Sequence, residues 1–207
     1  NFLFSQINSP EEHGHSKTPL IFIENQNQWN PEVQFKTTFE GSNSLFIENQ
    51  GFTYLLTDPK ALEEIHDLHK NWAESKNGVD VRHHAYKVSF LNSNTSKGKG
   101  LGKKKGYYNY FLGSDRSKWA SNVFGYGVTN YTNLYPNIDL VFYSVNESLK
   151  YDFNVKPFAN PSEIKLKYNG VENIKISKGR LIIQTSINKI IEGKPYAYQT
   201  INGVITE

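Results

Sequence analysis

The run Ile138-Asp139-Leu140-Val141-Phe142-Tyr143 alternates apolar residues with others, and so does Leu149-Lys150-Tyr151-Asp152-Phe153-Asn154-Val155. Successive side chains on a strand point to opposite faces, so period-two alternation is what a strand with one buried face requires. Ser144 to Ser148 between them is a turn-forming set, and the two runs predict a β-hairpin. A third run, Ile164 to Tyr168, follows Pro157 and Pro161, which bar a helix there. These three runs commit the chain to an antiparallel sheet. Matching Phe142 to Leu149, Leu140 to Tyr151 and Ile138 to Phe153 puts all six on one buried face. The same register sets Asp139 directly opposite Asp152 on the other face.

The remaining sequence extends this pattern in both directions. Strands are expected at 20–24 and 33–37, and a hairpin at 45–56 around Asn49-Gln50-Gly51. The pentapeptide Phe-Ile-Glu-Asn-Gln occurs at 22–26 and again at 46–50, each copy reading as a strand leading into a turn. Residues 58–75 break the β pattern. Asp58 suits a helix cap, Pro59 its first turn, and Leu62, Ile65, Leu68, His69 and Trp72 fall on one stripe at helical spacing. A strand is expected over 79–91, and residues 92–106, with five lysines among glycines, read as a solvated loop. Short strands at 164–168, 173–177, 181–185, 188–192 and 195–199, with one more after Asn202-Gly203, complete a meander. The fold class expected is all-β, an antiparallel β-sandwich or curled sheet with one inserted amphipathic helix at about 59–74. Thirteen Tyr and thirteen Phe in 207 residues supply core area that the aliphatics do not. One β-rich domain is expected over 19–207.

The same sequence excludes several classes of function. No cysteine is present, so disulfide scaffolds, thiol nucleophiles and thiolate metal sites are excluded. A net charge of +3 is too mild to argue for nucleic acid or an anionic membrane, and no apolar run reaches the length of a membrane span. There is no Ser-His-Asp arrangement, phosphate loop or nucleotide fingerprint. His13 with His15 could grip a metal ion weakly, and His66 with His69, one helical turn apart, could share one, but no Glu stands as in H-E-x-x-H. A mobile polar terminus, a helix face and, for His83-His84, a solvated strand edge are the plainer readings, and no metal or cofactor is expected. The absence of Met predicts a processed or excised chain. The apolar opening Asn1 to Ser5 predicts the tail of a secretory signal, followed by a flexible leader to residue 18.

Two sets of residues are candidates for a site. Asp139 and Asp152, if cross-strand neighbours, are either a structural pair hydrogen-bonded to a loop such as 107–122, a cation site, or the acid and base of a glycoside-cleaving domain. Residues 107–135 are rich in rings and Asn. Trp119, Tyr126 and Tyr131 are the ligand-binding candidates there, since exposed rings beside amides suit sugar faces. The same rings would equally serve to cover a core.

Tyr107-Tyr108-Asn109-Tyr110-Phe111-Leu112-Gly113-Ser114-Asp115, Lys118-Trp119, Tyr135-Pro136-Asn137-Ile138-Asp139 and Pro195-Tyr196-Ala197-Tyr198-Gln199 carry a family resemblance. With Phe22 to Gln26 and Trp29, the chain resembles, over about 20–205, the uncharacterised N-terminal domain of large bacterial surface proteins. Those proteins carry SBBP-type β-propeller repeats or PKD-like modules and often end in a type IX secretion sorting domain. The chain departs from that pattern at Phe124-Gly125, where Pro-Thr is usual, and at Asn137 and Phe158, where Gly is usual. The resemblance implies an exported, non-enzymatic β-module for adhesion, display or glycan binding. It implies an extracellular glycan or surface component and downstream modules of the same chain as partners. It carries over no catalytic residues.

Overall fold

The computed structural model describes residues 2–4, 19–40, 42–70, 80–201 and 204–206. Its elements are β1 (Phe2–Phe4), β2 (Phe22–Glu24), β3 (Val33–Phe39), β4 (Asn43–Glu48), β5 (Gly51–Thr57), α1 (Pro59–Lys70), β6 (His83–Phe90), β7 (Lys99–Lys103), β8 (Tyr108–Tyr110), β9 (Ala120–Val123) and β10 (Gly125–Tyr135). They continue as β11 (Ile138–Val145), β12 (Ser148–Val155), β13 (Leu166–Asn169), β14 (Asn173–Ser177), β15 (Arg180–Gln184), β16 (Lys189–Glu192), β17 (Tyr196–Ala197), β18 (Gln199–Ile201) and β19 (Val204–Thr206). The protein is an antiparallel β-structure with one helix among the described residues, as the sequence predicts.

The main sheet runs β13-β6-β5-β4-β3-β2-β10-β11-β12-β1-β17, with β7 beside β10. The eleven-residue β10 is its joint. Along one edge β10 pairs with β7, from Tyr126↔Lys103 to Asn130↔Lys99. At Gly125 and Tyr126 it also pairs with β2, and from Thr129 onward with β11. A strand has two edges, so β2 and β11 follow one another along the edge opposite β7. The sheet turns there, and its halves face each other over an aromatic core. The Phe52 ring on β5 meets Phe142 on β11 at 5.5 Å and Tyr151 on β12 at 5.6 Å between centroids. Phe90 on β6 meets Phe153 at 6.4 Å. Edge-to-face packing of this kind adds to the area each ring buries. Strands β14 to β16 form a separate sheet that adds Ile183 and Ile190 to the same core.

That second sheet also brings a carboxyl group inside. Glu192 is 4% exposed and accepts hydrogen bonds from the hydroxyls of Tyr151 (3.2 Å) and Tyr168 (3.2 Å). Burial raises its pKa to about 7, against the opposing effect of the two tyrosine bonds.

The helix starts where the sequence predicts. Pro59 opens it and the Asp58 carboxylate accepts from the Lys60 N–H and pairs with Arg82. Ala61 is its buried residue, with Leu62 and Ile65 half-buried; Trp72 lies outside the described residues.

Leu140, Phe142, Tyr151 and Phe153 are buried together, as expected. The hairpin register differs from the expected one by two residues: Phe142 faces Tyr151, Leu140 faces Phe153 and Ile138 faces Val155. The turn is responsible. Asn146 (φ 49°) and Glu147 (φ 68°) are both left-handed, which closes the strands at Val145↔Ser148 in a two-residue turn tighter than the span 144–148. Asn137 and Phe158, the two positions where the resembled domain has Gly, are also left-handed, at φ 57° and 66°.

One further expectation changes. The lysine-glycine segment is not all loop, since residues 99–103 are β7. Lys97, Lys99 and Leu101 are exposed while Gly98 and Gly100 between them are half-buried. A Cβ on Gly98 would lie 2.4 Å from Cζ of Tyr131, and one on Gly100 would lie 2.4 Å from Cγ of Tyr126. The glycines let β7 lie flat against those two rings. At the other end of the chain, Phe2–Phe4 form β1 between β12 and β17. The leader at 5–18 lies outside the described residues.

Candidate functional site

The two aspartates are not cross-strand partners. Asp139 faces Asn154 and Asp152 faces Val141. That diagonal offset separates the strand positions by about 7–8 Å. Each carboxylate has its own partners. Asp139 accepts from the Asn133 N–H (2.8 Å) and from Lys156 Nζ (2.9 Å). Asn133 is left-handed (φ 54°) within the bulge where β10 shifts register on β11, so Asp139 pins that bulge. Asp152 is half-buried and accepts from the Tyr143 hydroxyl at 3.2 Å. Burial raises its pKa to about 6, opposed by the Tyr143 bond and the charge of Lys150. The expected loop 107–122 touches neither in any of these bonds, and the direct cross-strand facing of the two carboxylates is replaced by this diagonal offset.

The three ring candidates separate as well. Tyr131 is 1% exposed, with Gly98 beneath its ring and Phe142 at its edge, 6.2 Å between centroids. It is a core residue and cannot reach a ligand, because its face of β10 is the inner one. Trp119 is 37% exposed on an arm made by β8, a 3-10 turn at Arg116–Lys118, and β9. Its Nε1–H donates to the Gly113 carbonyl, and Phe111 and Arg116 pack on its ring. Tyr126 is half-buried against Phe35, and its hydroxyl donates to Glu24 at 3.4 Å. Burial, then the charge of Glu24, raises the Tyr126 pKa.

Glu24 leads to the feature that neither candidate set included. A groove of about 390 Å³ is lined by Glu24, Asn25, Asn27, Gln34, Asn49 and Lys97, among others. Three of its polar residues, Glu24, Asn25 and Asn49, come from the duplicated pentapeptide. β2 and β4 both pair antiparallel with β3, so they run the same way and their turns leave at the same end of the sheet. The first copy therefore supplies Glu24 and Asn25, and the second supplies Asn49, to one concavity. The walls are fixed by hydrogen bonds. Asn25 Nδ2 donates to the carbonyls of Asn30 (2.9 Å) and Val33 (2.7 Å). Gln34 Nε2 donates to Asn49 and to the Ser96 carbonyl, and Gln34 Oε1 accepts from the Gly98 N–H. Neighbouring this loop, Trp29 packs edge-on against Tyr110 and under the Lys36 ammonium.

A second cleft, about 460 Å³, lies between residues 19–23, the end of β3 with Glu40, Tyr108 and Glu147. It is open and its glutamates, Glu40 and Glu147, come from exposed turns. Among the described residues no cluster of three or more His, Cys, Asp or Glu is placed to hold a metal ion. No helix among them is long and apolar enough to cross a membrane.

No curated protein and no solved structure matches the chain. Residues 22–207 match the family described as Domain of unknown function (DUF7948), a span that begins at β2 and takes in the groove and the β10 joint. The chain belongs to the DUF7948 family.

Proposed function

We propose that this domain is a non-catalytic binding module of a secreted or cell-surface modular protein, and that it holds a glycan in the groove built by the two Phe-Ile-Glu-Asn-Gln copies. The convergence of those copies carries the reading. They bring amides and a carboxylate to one concavity of about 390 Å³, within the size range of small-ligand sites. Asn25 and Gln34 spend their amide hydrogens on internal bonds and keep acceptor lone pairs, while the amide nitrogens of Asn27 and Asn49 supply donors, a mix that suits the hydroxyls of a sugar. The bonds that fix Asn25, Gln34 and Asn49 also lower the ordering cost of binding.

Two observations favour binding over cleavage. Glycoside hydrolysis by a carboxyl pair needs two such groups flanking one bond. Asp139 and Asp152 are each committed to structural partners, and Glu24 is the acidic residue facing the groove. Export and attachment to further modules follow from the resemblance to surface-protein head domains, where many copies gain avidity from modest single-site affinity.

A glycan array with the purified domain tests the proposal. Glu24→Gln and Asn27→Gly, the latter keeping the left-handed backbone at φ 78°, are expected to weaken binding. The Asp139→Asn, Asp152→Asn double variant is expected to bind like the parent. Glycoside turnover that disappears in the double variant would overturn the proposal. So would binding that survives both groove changes and is lost in Trp119→Ala.

A further inference from the structure

Lys97 and Gly98 stand in the wall of the groove, and β7 begins one residue later. The exposed side of this segment carries Lys97, Lys99, Leu101 and Lys103, since Gly98 and Gly100 turn inward to the tyrosine rings. Alternate positions on a strand are about 6.6–6.8 Å apart, so Lys99, Leu101 and Lys103 follow at regular intervals along β7, the Lys103 ammonium resting over the Phe124 ring 3.1 Å from its centroid. Lys104 and Lys105, also exposed, continue the segment, and the exposed rings of Tyr107 and Tyr108 follow. Between 97 and 123 there are seven basic residues and one acidic residue, Asp115, more positive charge than the +3 of the whole chain. Asp115 is occupied, its carboxylate accepting from the N–H and hydroxyl of Ser117.

We infer that the ligand of the groove is an acidic polysaccharide bearing carboxylates on its sugar rings, whose chain leaves the groove at Lys97 and runs along the outer face of β7. This rests on the binding reading and adds the chemical class of the ligand. The amides at one end meet hydroxyls, the lysine ammonium groups meet the carboxylates, and the tyrosines beyond offer ring faces. Duplex DNA would meet the same lysines, but it offers no sugar hydroxyls to the amides of the groove, and +3 over the whole chain is mild for nucleic acid. Lysines on an edge strand also deter pairing with another chain, a role any charge fills.

The experiment compares binding of alginate, polygalacturonate, neutral dextran and duplex DNA to the whole chain, by calorimetry at several salt concentrations. Alginate or polygalacturonate is expected to bind more tightly than dextran and to weaken as salt rises. The triple variant Lys97→Glu, Lys99→Glu, Lys103→Glu should lose about tenfold or more, three ion pairs being removed together. The corresponding triple Lys→Arg variant should bind like the parent. Both keep a charged edge, but Lys103→Glu gives up the ammonium over the Phe124 ring, so folding of the variants is checked by melting temperature; single Lys99→Gln, expected to weaken binding about two-fold, serves if the triple variant does not fold. Dextran binding as tight as alginate and indifferent to Lys→Glu would overturn the inference and leave the binding module standing. DNA binding as tight as alginate at equal salt would overturn it in favour of charge alone. Failure of every glycan to bind would overturn both.

Discussion

Glu192→Gln is the substitution with the most to say about the interior. Glu192, at the end of β16, is buried with the hydroxyls of Tyr151 on β12 and Tyr168 on β13 on its carboxylate. Its pKa is 4.5 in the open chain and about 7 in the fold, because burial disfavours the charged form. The folded protein therefore holds this proton more tightly than the unfolded chain does. The stability it contributes is fully present below pH 4.5 and is lost as pH rises through about 7. At roughly 1.4 kcal/mol per unit the loss is about 3 kcal/mol. Gln is near-isosteric, keeps an acceptor for the tyrosine hydroxyls and does not ionise. Urea unfolding of both proteins at several values between pH 4 and 8 gives the two stability curves. The curves are expected to lie close together at the acid end and to separate as pH rises, Gln becoming the more stable. Asp152, whose pKa of about 6 places its titration in the same window, is present in both proteins and cancels in the difference. Curves that stay parallel across the range would refute a buried, proton-holding Glu192.

Phe153 is fully buried against Phe90, Tyr135 and Tyr151, so Phe153→Ala should cost about 3–5 kcal/mol in denaturant unfolding; a loss under about 1 kcal/mol would contradict the core described here. Gly98→Ala would press a methyl group into the Tyr131 ring and should lower stability by about 1–3 kcal/mol, measured as a fall in urea midpoint. Phe158 is a bulky residue in the left-handed region and fully solvent-exposed, so Phe158→Gly should raise the midpoint by about 1 kcal/mol of stability despite the entropy of Gly in the unfolded chain.

Much of this architecture is written in local alternation. The faces of β11 and β12, the helix start at Asp58-Pro59 and the short C-terminal strands all come from patterns a few residues long. The hairpin register does not, because it depends on Glu147 adopting a backbone conformation that its side chain does not advertise. β7 was hidden for a related reason. Lys-Gly alternation has the period of a strand, but glycine carries no hydropathy, and the rings that require it, Tyr126 and Tyr131, come from β10. Ring hydropathy likewise cannot say that Tyr131 faces inward while Trp119 stands on an arm. The groove had one signal in the sequence, the duplicated pentapeptide. Its meaning depended on both copies flanking β3 and leaving the sheet at the same end, which is a matter of pairing rather than of composition.

The position of β10 between β2 and β11 has a consequence for how fast the chain folds. β3 to β6 pair in sequence order, and so do β10 to β12, so each half can grow from short-range contacts. The seam joining them brings Glu24 to Tyr126, 102 residues apart, and that loop must close before its contacts repay the lost chain entropy. Refolding is expected on the slow, millisecond-to-second scale of non-local β-proteins, with the seam present at the barrier. Stopped-flow refolding of Phe22→Leu measures this directly: a φ-value well above that of Ile183→Val in the outlying sheet is expected, and one near zero would place seam formation after the rate-limiting step.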